Sequence, residues 1–382
     1  MVSVQLVSNP VLEIPDSGDP SSAFPDHVAL SPKSVMTAWP EYAIDAFQRS
    51  VLFLDLLRQR GNEEIEITSR PMATVLGFGH EALMDGRSLP RPMNYTLSRI
   101  VPPAGIVIDP RKRPVVVIDP RAGQGPGVGG FKAESEIGDA LNAGHPVYFI
   151  GFGATPVPGQ QFLDVVEGQV SFFERVAELH PEAPRLFAIG NCQAGYQTLM
   201  VAILRPDLFG PCLVAGSPMS FWQGVHGKNP MRYAGGLLGG SWLTALTSDL
   251  GNGKIDGTGL ILNFGILNPA NWLWGKQYEV YTHIDTDAAR YLKFEKWWGD
   301  FIQMNGGELQ FLVDNLFIGD KLTRNELQSR NGTIFAASRR RSSCSPRWST
   351  ISVRHRRRSA GSSICIGTPM ISAPRGKRSC IA

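Results

Sequence analysis

The feature that most constrains the fold is a sharp turn between an apolar strand and a helix. The segment 185–189 has the short apolar composition of a buried strand, and the segment 196–204 is predicted to be helical. The turn reads Gly190-Asn191-Cys192-Gln193-Ala194-Gly195, with small residues two positions before and after the cysteine. Small residues allow the strand and helix to pass closely, and the turn lifts the central side chain above the sheet edge. The pattern therefore predicts a nucleophile elbow, with alanine where the second flanking glycine is usual.

Strands and helices alternate on both sides of this turn. Apolar runs at 114–118, 146–150 and 213–215 are predicted as further strands, with helices near 132–143 and over 164–179. This alternation predicts a mostly parallel sheet with helices on both faces. Combined with the elbow, it predicts an α/β-hydrolase-like fold.

The chain divides into four predicted segments. Residues 1–34 are rich in proline, serine and aspartate and are expected to be a flexible leader, followed by an N-terminal helical region over 35–104. The α/β-hydrolase-like domain is expected over 105–335, and 336–382 is expected to be a disordered basic tail. Within the domain, 217–300 interrupts the alternation and is predicted to be a cap insertion. Six of the eight tryptophans lie in it, either as ordinary core or as a shelter for an apolar ligand: Trp222, Trp242, Trp272, Trp274, Trp297 and Trp298.

The elbow predicts nucleophilic catalysis by Cys192. The positive end of the following helix is expected to favour the thiolate, and the N–H of Gln193 is aimed at a developing oxyanion. The alternative is that Cys192 is a small buried hydrophobic residue, which is the expectation for Cys212 on a sheet strand.

The glycine-rich loop at 122–130 allows three interpretations. Backbone N–H groups of Gly123 and Gly125 are predicted to complete the oxyanion hole, because glycine lets the backbone approach a ligand closely. The G-x-G-x-x-G pattern of 125–130 also suits a dinucleotide. The segment 149–153 lacks the acidic residue that holds a ribose hydroxyl, which disfavours that interpretation. A tight turn without a ligand is the third interpretation.

A cysteine nucleophile needs a base, and an orienting carboxylate helps. His145 and His180 flank predicted elements and are expected to be structural, as are His226 and His283 in the cap. His355 lies in a run of arginines. The sequence therefore does not supply the expected base among its seven histidines: His27, His80, His145, His180, His226, His283 and His355.

Charge is distributed unevenly along the chain. The tail 336–382 holds 11 of the 37 Lys and Arg residues and no acidic residue, which leaves 26 basic against 34 acidic residues elsewhere, a net charge of −8.

No apolar run is long enough to predict a transmembrane helix, and the N-terminus lacks the pattern of a secretory signal. Five sparse cysteines without metal-ligand spacing predict a reducing cytoplasm, with no metal and no cofactor.

Several motifs resemble a bacterial family known only as a domain of unknown function, which is similar to poly(3-hydroxyalkanoate) synthases. The similarity covers roughly 36–335 and rests on these segments: 119–123, 129–132, 190–195, 227–233, 249–253 and 267–271. It implies acyl transfer from an acyl-CoA thioester or ester by a Cys–His–Asp triad, with Cys192 matching the nucleophile. It also implies an Asp some 155–160 residues later, followed by His, and this chain matches neither.

The basic tail suggests why the triad is incomplete. Residues 339–355 have no apolar periodicity, yet a frame shifted by two bases can encode a buried strand followed by an Asp-Asn-Ile-Ser-Pro turn. We therefore predict a frameshift near 333–338 that removed the last strands, the Asp and the His. The alternative is a selected basic arm for nucleic acid or an anionic membrane; isolated cysteines and apolar residues in the tail disfavour it, and no nucleic-acid partner is expected.

These observations predict an impaired acyltransferase or hydrolase. The competing hypothesis is a non-catalytic scaffold that associates with storage granules, a membrane surface or a partner enzyme. Loss of the last strands also predicts an unpaired sheet edge and poor solubility.

Overall fold

The computed structural model describes residues 32–67, 74–217, 219–220, 237, 239–329 and 332–333, and four short strand segments between 347 and 370. The predicted leader therefore lies outside the described residues, except for its last three positions. Helix α1 (Pro32–Ile67) occupies the first part of the predicted N-terminal helical region and begins three residues before it. The chain divides into two compact units, Met1–Asp55 and Leu56–Ala382. In the first unit, most of the large apolar side chains of α1 are exposed, including Trp39, Ile44, Phe47 and Leu54.

The second unit contains the predicted parallel sheet. Its strands are β1 (His80–Asp85), β2 (Tyr95–Ile100), β3 (Val115–Ile118), β4 (Val147–Phe152), β5 (Leu186–Asn191) and β6 (Phe209–Ala215). They are arranged in the order β1-β2-β4-β3-β5-β6. Strands β4, β3, β5 and β6 are parallel, whereas β1 and β2 are antiparallel additions at one edge. The α/β-hydrolase-like fold is confirmed.

Helices cover both faces of this sheet. The four residues of β3 are all buried, and they alternate between two apolar layers. Val116 and Ile118 pack in the layer that contains α3 (Phe162–Leu179) and α4 (Gln193–Leu204). Val115 and Val117 pack in the layer that contains α2 (Glu136–Asn142). A strand buried on both sides needs apolar residues at every position, which is why its sequence shows no polar alternation.

The prediction that 35–104 is helical was wrong for its second half. That half contains β1 and β2, with a 3₁₀ turn at Gly86–Ser88 between them. Tyr95, Leu97 and Ile100 are buried, whereas Arg99 is exposed. The polar residues of β1 form a strand because pairing with β2 overrides their weak local preference.

The predicted cap is mainly helical within the described residues. It comprises α5 (Trp242–Leu250), β7 (Lys254–Asp256), α6 (Thr258–Leu267), a π-helical turn at Asn271–Gly275, α7 (Lys276–Thr282) and α8 (Ile284–Trp298). Strand β8 (Gln303–Asn305) pairs antiparallel with β7 and leads into α9 (Gly306–Leu312) and a second π-helical turn, Val313–Ile318. Residues 218, 221–236 and 238 lie outside the described residues, and with them Trp222 and His226.

The C-terminal segments are short strands. Strand β9 (Gln328–Ser329) pairs with β10 (Gly332–Thr333). The tail contributes β11 (Arg347–Trp348), β12 (Ile351–Ser352), β13 (Ile364–Gly367) and β14 (Pro369–Met370). Strand β13 pairs antiparallel with β6, so the predicted unpaired edge is not observed there. The rest of 336–382 lies outside the described residues, so its disorder and altered reading frame stay predictions.

None of the helices in the described part of the chain combines the length and the apolar character needed to span a membrane.

Candidate active site

Cys192 occupies the turn between β5 and α4, as the sequence predicts. Its backbone has φ 48° and ψ −120°, and it is one of few non-glycine residues with positive φ among the described residues. Such a conformation costs about 1–3 kcal/mol and persists only where surrounding contacts hold it. The side chain is partly exposed rather than sealed in the core.

Backbone contacts hold this strained turn. The N–H of Cys192 donates to the carbonyl of Ala215 at 2.8 Å, and its own carbonyl accepts from the N–H of Gly195 at 3.1 Å. The Ser217 hydroxyl donates to the same carbonyl. The end of β6 therefore fixes the conformation of the residue that follows β5.

Two glycines allow the strand and the helix to cross closely. A Cβ atom on Gly190 would lie 2.5 Å from Thr198 Oγ1, and one on Gly195 would lie 1.8 Å from Ser217 Oγ. Ala194, which departs from the usual elbow pattern, is fully buried without a hydrogen-bonding side chain. The second position that excludes a side chain is therefore Gly195, one residue later than the pattern indicates.

The residues on either side of Cys192 are tied to the segment that follows β3. Asn191 Nδ2 donates to Glu136 Oε2 at 2.7 Å. Gln193 Oε1 accepts from the backbone N–H of Arg121 at 2.9 Å, while Gln193 Nε2 donates to Gln197 Oε1 at 2.9 Å. These side-chain hydrogen bonds bring the elbow and the predicted oxyanion loop together.

The electrostatic environment of the thiol differs from the prediction. Burial raises the pKa of the Cys192 thiol above its ordinary value, and a hydrogen bond from the N–H of Gln193 lowers it by a smaller amount. The N–H of Gln193 therefore acts on the pKa of the thiol in the predicted direction, but its effect is the smaller of the two. Desolvation of the charged form outweighs the helix terminus, so the thiol needs a base to become a nucleophile.

The glycine-rich loop is organised around a buried carboxylate of the chain itself. Asp119 accepts from the N–H of Gly127 at 3.2 Å and from that of Val128 at 2.9 Å. Burial raises the pKa of Asp119 well above its usual range, although these two N–H groups lower it. Because its N–H groups already bind a carboxylate, this part of the loop cannot bind a phosphate in the same geometry, which supports rejecting the dinucleotide interpretation.

Gly123 and Gly125 anchor the loop to the cap. The carbonyl of Gly123 accepts from the N–H of Ile302 at 3.0 Å, and that of Gly125 accepts from Trp297 Nε1 at 2.8 Å. Gly123 has φ 118°, and a Cβ there would approach the carbonyl of Gly257 to 2.7 Å. Glycine is therefore required at position 123. The role of these two N–H groups at an oxyanion remains a prediction.

Sequence reasoning missed a buried polar network beside the elbow. Arg121 donates from Nη1 to both carboxylate oxygens of Glu308, at 2.9 and 3.0 Å, and both side chains are almost fully buried. Gln160 Nε2 donates to Glu308 Oε1 at 2.9 Å and also to Asn94 Oδ1 at 3.0 Å. Arg121 lies in the segment 119–123, one of those that carry the family resemblance. No local pattern indicated Glu308, which lies 187 positions further along the chain.

The four described histidines make their contacts away from the elbow. His145 and His180 bind carbonyl oxygens of the loops around 110–113, and His180 also pairs with the Tyr148 hydroxyl at 2.7 Å. His80 and His283 contact carbonyls close to them in the chain. The remaining three lie outside the described residues: His27, His226 and His355. Within the described part of the chain, no cluster of His, Cys, Asp and Glu has the composition of a metal site.

The cap tryptophans divide into two groups. Trp297 packs against Phe131 and Phe294, and Trp298 stacks on Phe294. Trp242, Trp272 and Trp274 are instead exposed. Next to the first group lies a cavity of about 440 Å³ whose wall includes Ile261, Trp272, Trp298 and Phe301.

The cavity adjoins the predicted oxyanion loop. A Cβ atom on Gly123 would lie 3.1 Å from Ile261 Cγ1, and Phe301 forms an antiparallel bridge with Gln124. A cavity with apolar and aromatic walls next to the predicted oxyanion loop is the arrangement expected of a ligand site.

The parallel sheet, the strained turn and the tight strand–helix crossing define this chain as an α/β-hydrolase-like protein. It belongs to the family described as "Protein of unknown function (DUF3141)", whose model matches residues 45–345. It is also 56% identical over 293 residues to a Rhizobium meliloti protein described as "Uncharacterized protein in ackA 5'region". That similarity covers 76% of this chain but 40% of the relative, so the chain spans well under half of the relative's length.

Solved structures with similar folds include two enzymes. The 2-hydroxy-6-oxo-6-phenylhexa-2,4-dienoate hydrolase of a Rhodococcus species is 16% identical, with a TM-score of 0.31, over 58% of this chain and 71% of that one. The thioesterase domain from the curacin biosynthetic pathway is 16% identical, with a TM-score of 0.26, over 39% and 49% of the two chains. At these values the similarity carries no argument about substrate.

Proposed function

We propose that this protein is a poly(3-hydroxyalkanoate) synthase-like member of the α/β-hydrolase superfamily, in which Cys192 attacks a hydroxyacyl thioester or ester in the cytoplasm. The observation that carries the proposal is the strained, partly exposed Cys192 between β5 and α4. A small buried cysteine gains nothing from positive φ, whereas a nucleophile gains access to substrate above the sheet.

The proposed chemistry has two steps. The thiolate of Cys192 adds to the carbonyl carbon, and collapse of the tetrahedral intermediate expels the thiol or alcohol, which takes up a proton. Water or a hydroxyl acceptor then attacks the acyl-cysteine and releases the thiol. The N–H of Gln193 and an N–H of the loop carrying Gly123 and Gly125 would stabilise the oxyanion, each such donor being worth ~10²–10³ in rate.

The first step is expected to be slow at neutral pH. Burial raises the pKa of Cys192, and the described histidines make their contacts elsewhere. Loss of one triad member typically lowers the rate by ~10⁴. We therefore propose an impaired enzyme whose missing Asp and His were lost through the frameshift near 333–338.

Sequencing the gene from codon 330 through the codons for the tail 336–382 and beyond tests the frameshift separately from the chemistry. A shifted frame there should restore a buried strand, an Asp-Asn turn and a downstream His. A reproducible uninterrupted frame, with no such sequence in the other frames, would defeat it.

The chemistry is tested by incubating the full chain with the p-nitrophenyl ester of 3-hydroxybutyrate and with 3-hydroxybutyryl-CoA. Intact mass should show one acyl adduct, and peptide mapping should place it on Cys192. The adduct should form faster as pH rises, because the thiolate is the nucleophile and its pKa is raised. Cys192→Ala should abolish it and Cys212→Ala should not.

The second candidate is a non-catalytic scaffold that binds a granule, a membrane surface or a partner enzyme. The raised thiol pKa favours it, because such a cysteine is mostly protonated near neutrality. Folded protein that remains unacylated at Cys192 up to pH 9.5 would support the scaffold and contradict the enzyme.

A further inference from the structure

The cavity beside the oxyanion loop combines apolar walls with a group of ionised side chains. Glu295 is 2% exposed and accepts two cations, Arg60 Nη2 at 2.9 Å and Lys276 Nζ at 2.5 Å. Arg60 Nη1 also donates to the Tyr291 hydroxyl at 3.2 Å, and Lys276 Nζ lies 5.8 Å from the centre of that ring. All three charged residues line the cavity.

Two cations share one buried carboxylate in this group. Neither Arg60 nor Lys276 therefore has a buried carboxylate to itself. Glu64 also lines the cavity, and its exposed carboxylate balances the formal charge of the four ionisable lining residues.

The cations also retain donor capacity toward the cavity. In the contacts of the described residues, Arg60 uses two of its five N–H groups and Lys276 uses one of three. The Arg60 side chain is 41% exposed and that of Lys276 24%, so each can reach a ligand without leaving Glu295.

The rest of the wall is apolar and aromatic. Leu57, Ile261 and Leu262 contribute aliphatic surface, while Trp272 and Trp298 contribute large rings. A cavity of about 440 Å³ has the size of a small-molecule site. Apolar walls beside two cations that retain unused N–H donors are complementary to a molecule with an apolar body and an anionic end.

We propose that this cavity binds an amphiphilic anion, with its carboxylate or phosphate group on Arg60 and Lys276 and its apolar chain against Trp272 and Trp298. Binding requires no reaction at Cys192, so this proposal can be tested independently of the proposed function. Because Ile261 lies against Gly123, a bound chain would reach the loop that faces the elbow.

The two tryptophans provide the measurement. Intrinsic fluorescence of the full chain carrying Cys192→Ser should be titrated with octanoate, octyl phosphate, octanol and acetate. Octanoate or octyl phosphate should saturate the signal at least about tenfold more tightly than octanol, and acetate should bind more weakly than either anion. The preferred head group distinguishes a carboxylate ligand from a phosphate ligand. Trp272→Phe and Trp298→Phe should each reduce the amplitude.

Substitutions identify the cations. Lys276→Met and Arg60→Met should each weaken octanoate binding by about tenfold while leaving octanol binding within about twofold. Lys254→Met, an exposed lysine outside the cavity, is the matched control and should change neither. If circular dichroism shows that one of the two cavity variants does not fold, the other variant still tests the role of the cations. The ratio of the octanoate affinity to the octanol affinity, measured on the Cys192→Ser parent, tests the proposal independently. Equal binding of octanoate and octanol, or no saturable signal with either anion, would overturn the proposal.

Discussion

Cys212 lies on β6 and Cys192 directly follows the neighbouring strand β5, yet their surroundings differ in kind. Cys212 is 2% exposed within β6, and burial raises its pKa to about 12. Cys192 follows β5, is partly exposed, and receives the N–H of Gln193. Burial raises the pKa of both thiols, but at the elbow Cys192 also receives a hydrogen bond from an N–H group and is partly accessible to solvent. The comparison teaches that the turn at the end of the strand, rather than the strand, distinguishes a possible nucleophile from a core residue.

The largest expected effect comes from disrupting the buried ion pair that supports the loop beside Cys192. Arg121→Met leaves Glu308 buried without its cation and should destabilise the folded protein by about 3–5 kcal/mol, measured by urea unfolding. In the protein that stays folded, the alkylation rate of Cys192 should change because the loop bound to Gln193 loses its support, while that of Cys212 should not.

The matched control is the double variant Arg121→Met with Glu308→Leu. Removing both charges should restore most of the lost stability, because no uncompensated ion remains buried. If the single variant were as stable as the parent, the ion pair would not support this part of the site.

Differential alkylation sharpens the comparison directly. With iodoacetamide at pH 8, Cys192 should react on the order of 10²-fold faster than Cys212, because the latter reacts only when β6 opens. The rate at Cys192 should keep rising above the range of an ordinary thiol, since burial raises its pKa and the thiolate forms only at higher pH. Peptide mapping separates these thiols from those of the tail. Equal rates in folded protein would place Cys192 in the core.

The smallest expected effect is a change in stability when a side chain is added where β5 and α4 cross at the elbow. Gly195→Ala should destabilise the protein by about 1–3 kcal/mol, because its Cβ would overlap Ser217 Oγ. Gly61→Ala in α1 meets open space and should stabilise by about 0.5–1 kcal/mol through helix preference. Urea midpoints of both variants make the measurement. Adding Ser217→Gly should restore only part of the stability lost in Gly195→Ala, because the new Cβ would still lie 2.6 Å from Val214 Cγ1. No recovery at all would show that Ser217 does not make the limiting contact.

The parallel strands were predictable because they are short, apolar and separated by helices. The four residues of β3 and the elbow at Cys192 follow directly from such local patterns. Strands β1 and β2 were missed, although the alternation of Tyr95 and Leu97 with polar residues was a usable signal. Local preference was weak there, and pairing with β4 decided the structure.

The site was predictable only where its residues are adjacent in the chain. The sequence placed Cys192 beside Gln193, since consecutive residues share a turn whatever surrounds them. It gave no sign that Arg121 would pair with Glu308, that Asn191 would bind Glu136, or that Arg60 and Lys276 would share one carboxylate.

Sequence by itself therefore determined the succession of strands and helices from β3 to β6 and the position of the elbow, because hydrophobic periodicity and small residues act locally. Tertiary structure alone decided the protonation preference of the thiol. That preference depends on how much water the surrounding elements remove from the sulfur, and the elements that do so come from distant parts of the chain.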